Sequence, residues 1–253
     1  MFGDYPMHRG GGVNPPHAPA YPMEWDAKIR TVEVVTEVRP SALDEILGFT
    51  PFERVNNRVA FRFMLSPWHT LALQSDGLFD LMVTVPVRYQ GLFTQTHVFM
   101  YCSDAMGITA GRELFGYTKK ECTFLYRETA QGSVSGWVDR RGTRLADFSF
   151  TPDPDAPPVR LVDGPEQPHG ELHVRRLPHP AKPEPAYADV VYRDMPIDYV
   201  DVTPGRVEMR LHPSDQDPLS ALEPRILGAQ QMHTEVFGGG LAVEDRRILD
   251  RLV

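Results

Sequence analysis

Apolar residues in this chain fall on every second position over long stretches, a period that suits strands with one buried face and does not suit helices. Residues 58–66 set Val59, Phe61, Phe63 and Leu65 against Ala60, Arg62 and Met64, and residues 80–89 set Leu81, Val83, Val85 and Val87 against Asp80, Met82, Thr84 and Pro86. Val32, Val34 and Val38 alternate with Thr31, Glu33 and Glu37, and residues 94–102 form another strand-like run. Pro86 inside such a run points to an edge or a bulge. A β-meander is expected over 121–129, 133–139 and 143–150. Its last turn is Arg140-Arg141-Gly142, with the glycine in the left-handed position. Further strands are expected near 171–176, 187–193, 205–212 and 225–236.

Helical signals are short. Pro40-Ser41 opens a helix that Ser41 can cap, with Asp44 as capping-box partner and Gly48 as the stop. Ser103-Asp104 caps a second helix, carried by Ala105, Ile108 and Leu114 up to Gly116. Asp217-Pro218 starts a third short helix, and residues 243–253 read as a C-terminal amphipathic helix. Residues 151–185 hold ten prolines and read as a loop or extended crossing apart from the strand near 171. Residues 1–23 read as an irregular arm that either wanders or wraps a neighbouring subunit. The remainder, 24–253, is expected to be one domain, a length that mainly-β domains reach. The fold class expected is mainly β with a few short helices, an antiparallel sheet closed into a barrel.

Composition narrows the function. The net charge is −8, and no basic stripe exists to neutralise phosphates, which argues against a nucleic-acid partner. No apolar run approaches the ~18 residues of a membrane-spanning helix. The first 23 residues carry no apolar signal segment, so a cytoplasmic location is expected. Cys102 and Cys122 are expected to be core thiols. His97 and His233 sit in strand-like segments and read as satisfied polar residues. The other histidines show no metal-ligand spacing, so neither a metal nor a cofactor is expected. There is no glycine-rich phosphate loop and no nucleophile elbow.

The informative stretch is Gly111-Arg-Glu-Leu-Phe-Gly-Tyr-Thr-Lys119-Lys120. Of 26 lysines and arginines only four are lysines (Lys28, Lys119, Lys120 and Lys182), and two of these are adjacent. Apolar residues flank the pair. A lysine amine attacks a carbonyl only when uncharged, and with an ordinary lysine pKa of about 10.4 few molecules carry a free amine at neutral pH. Burial in an apolar barrel interior can lower that value by about 3–5 units.

Gly-Arg-Glu-Leu, four residues, then Lys-Lys resembles the acetoacetate decarboxylase family. The likeness extends upstream through Val85-Pro86-Val87, Gly91 and Met100-Tyr101, and downstream over Gly205 to Gly240. It implies a cone-like barrel, assembly into a homo-oligomer, and a small keto acid as substrate. Lys119 takes the position of the family's Schiff-base lysine, with Lys120 as companion. Adjacent residues of a strand point to opposite faces, so desolvation, not repulsion from Lys120, is the expected cause of a lowered Lys119 pKa. Asp80 stands where the family has its acidic glutamate, and Arg62, a charge reversal, where it has a second; Arg62 then either contacts a substrate carboxylate or pairs with Asp80. Arg30 is the nearest match to an arginine that would orient a substrate carboxylate. Met82, Met100, Phe99 and Phe115 are expected to line the cavity. Tyr101 and Tyr117, near the lysine in sequence, are candidates for substrate contact as acid or base, though barrel packing is the commoner role of tyrosine. The primary expectation is decarboxylation of a β-keto acid. The alternatives are aldolase or dehydratase chemistry on pyruvate or a related 2-keto acid, and a binding protein without turnover.

Overall fold

The computed structural model describes residues 24–69, 77–178, 180–183, 185–194, 201–240 and 246–252. The expected arm, 1–23, lies outside the described residues. No helix among them is long and apolar enough to cross a membrane.

The alternating segments become strands of one sheet. β1 (Glu24–Glu37) pairs antiparallel with β3 (Arg58–His69) on one side and with β13 (Arg225–Gly240) on the other. β3 leads to β4 (Leu78–Tyr89) and β4 to β5 (Leu92–Cys102), both antiparallel. Beyond β13 lie β12 (Asp201–Leu211), β9 (Thr143–Pro152), β8 (Val134–Arg140) and β7 (Thr123–Glu128). Beyond β5 lie β10 (Glu171–Pro178), β11 (Pro185–Arg193) and β14 (Arg246–Arg251). Two short strands stand off this path: β2 (Glu53–Arg54) on β4, and β6 (Lys119–Glu121) on β5.

The meander turn is as expected, with Arg141 at φ 51° and Gly142 at φ 79°. Pro86 falls where β4 has left β3 and taken up β2, and a bulge between Val83 and Thr84 precedes it.

The expected barrel closure does not occur. β14 and β7 end the path, and among the described residues no pairing joins them. The sheet instead curls and packs on itself through side chains. Phe63 of β3 stacks on Phe148 of β9 with centroids 3.9 Å apart, and Phe79 of β4 stacks on Phe124 of β7 at 4.4 Å. Each buried phenylalanine contributes about 1.5–3 kcal/mol of apolar burial, so packing closes the molecule where a hydrogen-bond seam was expected. Val32, Val34, Phe61, Phe63, Leu81, Val83 and Tyr101 all face this core.

Three local expectations are corrected. The C-terminal segment is strand β14, not a helix; its backbone pairs with β11 from Asp189–Arg251 to Arg193–Arg246. With only two apolar residues in Arg246–Arg251, backbone pairing outweighs a weak helical pattern. Ser41 does not cap α1 (Pro40–Leu47): the cap position is Arg39 and no side chain bonds there, Pro40 taking the first turn instead. The second helix is composite, an α-helical turn α2 (Ala105–Ala110) capped by the Asp104 carboxylate, then a π-helical turn over Gly111–Phe115.

This composite helix positions the site. β5 and β6 run parallel, and a parallel pair needs a crossover of a dozen or more residues. Residues 103–118 supply it, laying the helix over the face of β4 and β5 that is turned away from the main core. Beneath it a second apolar cluster forms from Met100, Phe115 and Tyr117, with Met82 and Leu114 packed against it.

Candidate active site

The β-ladder fixes which residues share the face beneath the crossover helix. Glu33, Arg62, Met82, Met100 and Lys119 occupy one row across β1, β3, β4, β5 and β6. Asp80 and Cys102 oppose each other one pleat further along. Lys120 belongs to the other face, in a row with Leu81 and Tyr101. The two lysines therefore point apart, as strand geometry requires.

Lys119 is 7% exposed. Its Nζ donates to Asp80 Oδ2 at 2.9 Å and to Cys102 Sγ at 3.8 Å, and lies 5.8 Å from the centre of the Tyr117 ring. The second carboxylate oxygen, Asp80 Oδ1, is buried with no hydrogen-bond partner. Gly111 makes room for the lysine stem: a Cβ there would come within 2.9 Å of Lys119 Cδ and 3.1 Å of Tyr117 Cδ2.

The protonation of Lys119 corrects the sequence expectation. Burial is the largest single influence and pulls its pKa down, but the Asp80 charge and hydrogen bond, with Cys102, outweigh it and the net shift is upward. Desolvation dominates only until a counter-ion is buried alongside. The resting amine is a cation held by Asp80. Burial, then the Asp80 charge, pushes the Cys102 thiol up to about 12.

Tyr117 is retained at the site. Its hydroxyl donates to Glu171 Oε2 at 2.5 Å and accepts from Arg193 Nη1 at 2.8 Å. Arg193 also lies over the Phe115 ring, 4.4 Å from its centre. Burial pushes the Tyr117 hydroxyl well above the usual tyrosine range. Glu171 also holds His97, whose Nε2 is 2.9 Å from Oε1 and whose Nδ1 is 2.9 Å from Thr84 Oγ1. His97 is thus the satisfied polar residue expected of it. Met82 lines the site with Met100 and Phe115.

Other expected site residues are not brought there. Lys120 Nζ donates to Asp217 Oδ1 at 2.7 Å, and Arg140 donates to Asp217 Oδ2 at 2.7 Å. Tyr101, fully buried in the core, donates to Asp217 Oδ1 at 3.2 Å. Burial works against the Asp217 charge, but the bonds from Lys120 and Arg140 prevail and hold its carboxyl below the usual range. Phe99 pairs with Val83 and packs against the main core rather than the site. Arg30 is exposed and pairs with Glu128. Arg62 shares the site face, but its Nε donates to Glu33 Oε2 at 2.6 Å and its Nη1 to Gln95 Oε1 at 3.2 Å, so it does not pair with Asp80.

The guanidinium that the fold does deliver to the helix-covered cluster, Arg193, carries no sequence signal. It lies at the end of β11, 74 residues beyond Lys119, with no motif around it. Glu171, which accepts from the Tyr117 hydroxyl, was missed for the same reason, and Cys102, next to Met100-Tyr101, was read only as a core thiol. Gly111 carried a signal, as the first residue of Gly-Arg-Glu-Leu.

Comparison with known proteins gives the family and the fold. The family profile for acetoacetate decarboxylase matches residues 4–248. No curated protein matches the chain. Among solved structures, an acetoacetate decarboxylase from Legionella pneumophila superposes with a TM-score of 0.76 at 16% identity, over 98% of this chain and 96% of that one. The enduracididine biosynthesis enzyme MppR, complexed with the condensation product of pyruvate and imidazole 4-carboxaldehyde, superposes with a TM-score of 0.68 at 17% identity, over 89% and 91%. An acetoacetate decarboxylase-like enzyme from Sphingomonas wittichii RW1 gives 0.70 at 13% identity, over 92% and 96%.

Proposed function

This chain belongs to the acetoacetate decarboxylase family, and on that premise we propose that it is a lyase that forms a Schiff base between Lys119 and the keto group of a small keto acid, decarboxylating a β-keto acid. The observation that carries the reading is the buried Lys119–Asp80 pair with one carboxylate oxygen unpartnered. A buried acceptor with nothing to accept costs about 1–3 kcal/mol, and a ligand hydroxyl or a water would satisfy it.

The chemistry follows from these atoms. Asp80 Oδ2 takes a proton from the Lys119 ammonium along their 2.9 Å hydrogen bond, and the freed amine attacks the keto carbon. Asp80 Oδ1 accepts the hydroxyl of the resulting carbinolamine, and the protonated carboxyl assists its departure as water. The iminium nitrogen then draws the electron pair of the bond to the carboxylate, carbon dioxide leaves, and an enamine remains. Protonation at carbon and hydrolysis return the amine and release a ketone. Met82, Met100 and Phe115 surround this centre with apolar surface, which strengthens its electrostatics by keeping water out.

Borohydride reduction in the presence of acetoacetate, followed by mass mapping, tests the imine. The substrate mass should attach at Lys119 and vanish in Lys119→Ala, and carbon dioxide should be released without borohydride. A chain that binds keto acids but gains no mass is a binding protein instead.

One arrangement favours a second reading, aldolase or dehydratase chemistry on a 2-keto acid. The Tyr117 hydroxyl sits between a carboxylate and a guanidinium, a proton-transfer group that loss of carbon dioxide does not require. The fold likeness to MppR, which is complexed with a pyruvate condensation product, is in keeping with it. Pyruvate trapped at Lys119, with condensation onto an added aldehyde and no carbon dioxide from acetoacetate, would select this reading.

A further inference from the structure

We propose that His97, Glu171 and His173 form a binding site for one divalent transition-metal ion, joined to the Lys119 site through the Tyr117–Glu171 hydrogen bond. The topology assembles it. Glu171 and His173 are two residues apart on β10 and so share a face. β10 runs parallel beside β5 with Glu171 opposite Gln95, a register that sets His173 beside His97.

One ligating atom from each residue lies within 4.8 Å of the other two, and all three side chains are buried. Glu171 Oε1 is 2.9 Å from His97 Nε2, and Glu171 Oε2 is 3.8 Å from His173 Nε2. These two distances run to different carboxylate oxygens; tetrahedral bonds of about 2.0–2.1 Å place neighbouring ligand atoms about 3.3 Å apart, so the three residues need only small side-chain adjustments to close on one ion.

The independent observation is His173 Nε2. It is buried and faces the Glu171 carboxylate, but at 3.8 Å from Oε2 it falls short of a hydrogen bond. A cation between the three atoms would supply a partner. The surroundings resemble those of metal-binding histidines, whose second nitrogen is commonly fixed by an outer partner: His97 Nδ1 is held by Thr84 Oγ1 at 2.9 Å. Tyr117 donates to Glu171 Oε2, and Arg193 donates to the tyrosine hydroxyl. Two imidazoles and one carboxylate favour zinc and its neighbours over magnesium or calcium.

The test uses the full chain, stripped with a chelator and titrated with zinc against a chromophoric competitor. One equivalent should bind per chain, and X-ray absorption should show two imidazoles and an oxygen ligand. Loss of an outer-shell partner costs about 10–100-fold in affinity, so His173→Gln and Glu171→Gln should each weaken binding by more than about 100-fold. His212→Gln, which alters a partly exposed histidine paired with Asp147, should not. Should either variant unfold, the absorption spectrum of the unmodified chain decides. Failure to bind zinc, binding insensitive to both variants, or binding lost with His212→Gln would each overturn the proposal, the last two marking an adventitious ion only.

Discussion

Lys119 and Asp80 form a buried ion pair, Nζ to Oδ2 at 2.9 Å, with both side chains nearly sealed from solvent. The pair sets the protonation of the nucleophile. The Lys119 pKa is raised above the ordinary value, so its stabilisation is fully present below the unfolded lysine pKa, about 10.4, and is lost as pH rises through the folded value. Asp80→Asn removes the counter-ion and leaves burial, the largest influence, opposed only by Cys102, so the Lys119 pKa falls. The expected result is an imine-trapping profile shifted to lower pH, together with a loss of about 3–5 kcal/mol of stability near neutrality, the usual cost of stranding one partner of a buried pair. Borohydride trapping across pH and denaturant unfolding measure both. An unmoved profile would show that Asp80 does not govern the amine.

Gly111 tests the steric side of the site. Its φ of −60° suits any residue, so Gly111→Ala brings no backbone strain. Its methyl would approach Lys119 Cδ to 2.9 Å and Cε to 3.2 Å, displacing the amine from Asp80. A displacement of about 1 Å can cost on the order of 100-fold in rate, while overpacking costs about 1–3 kcal/mol. Single-turnover trapping should slow by that factor in a protein that still unfolds cooperatively.

Lys120 should prove dispensable for the imine. It lies on the opposite face, is partly exposed, and pairs with Asp217. Lys120→Ala should therefore leave the Lys119 trapping profile in place and cost no more than about 1 kcal/mol, after allowance for solvent screening. Asp217→Ala is the contrasting variant. It strands Arg140, whose side chain is 13% exposed, and should cost about 3–5 kcal/mol. A marked shift of the profile in Lys120→Ala would restore the second lysine to the chemistry.

The strands were legible in the chain because period-2 burial leaves its mark on every second residue, and the same parity separated Lys119 from Lys120. Asp80 was legible through its position before Val85-Pro86-Val87. The open sheet was not, because Phe63 on Phe148 and Phe79 on Phe124 decide it, and such pairings across distant strands have no local signature. Glu171, His173 and Arg193 were hidden for the same reason, reaching the site only when β10 and β11 are laid beside β5. The charge on Lys119 was not legible either: burial alone favours a neutral amine, and the sign reverses only once the carboxylate buried with it is placed at hydrogen-bond distance.

Tyr117 separates the two reactions open to an imine at Lys119. Its hydroxyl links Glu171 to Arg193, and its ring faces the lysine amine at 5.8 Å. Tyr117→Phe keeps the ring and removes the proton-transfer group, stranding polar partners at a cost of about 1–3 kcal/mol. Loss of carbon dioxide from a β-keto imine needs only the electron sink. If decarboxylation is the reaction, trapping at Lys119 and carbon dioxide release should therefore persist within about tenfold. Condensation or dehydration needs a positioned acid or base, worth about 10²–10⁴-fold. The first outcome is the one expected: decarboxylation of acetoacetate nearly intact in Tyr117→Phe, measured beside pyruvate–aldehyde condensation. A collapse of acetoacetate turnover with trapping unimpaired would instead place Tyr117 in the proton-transfer step of the decarboxylation itself, the protonation of the enamine carbon.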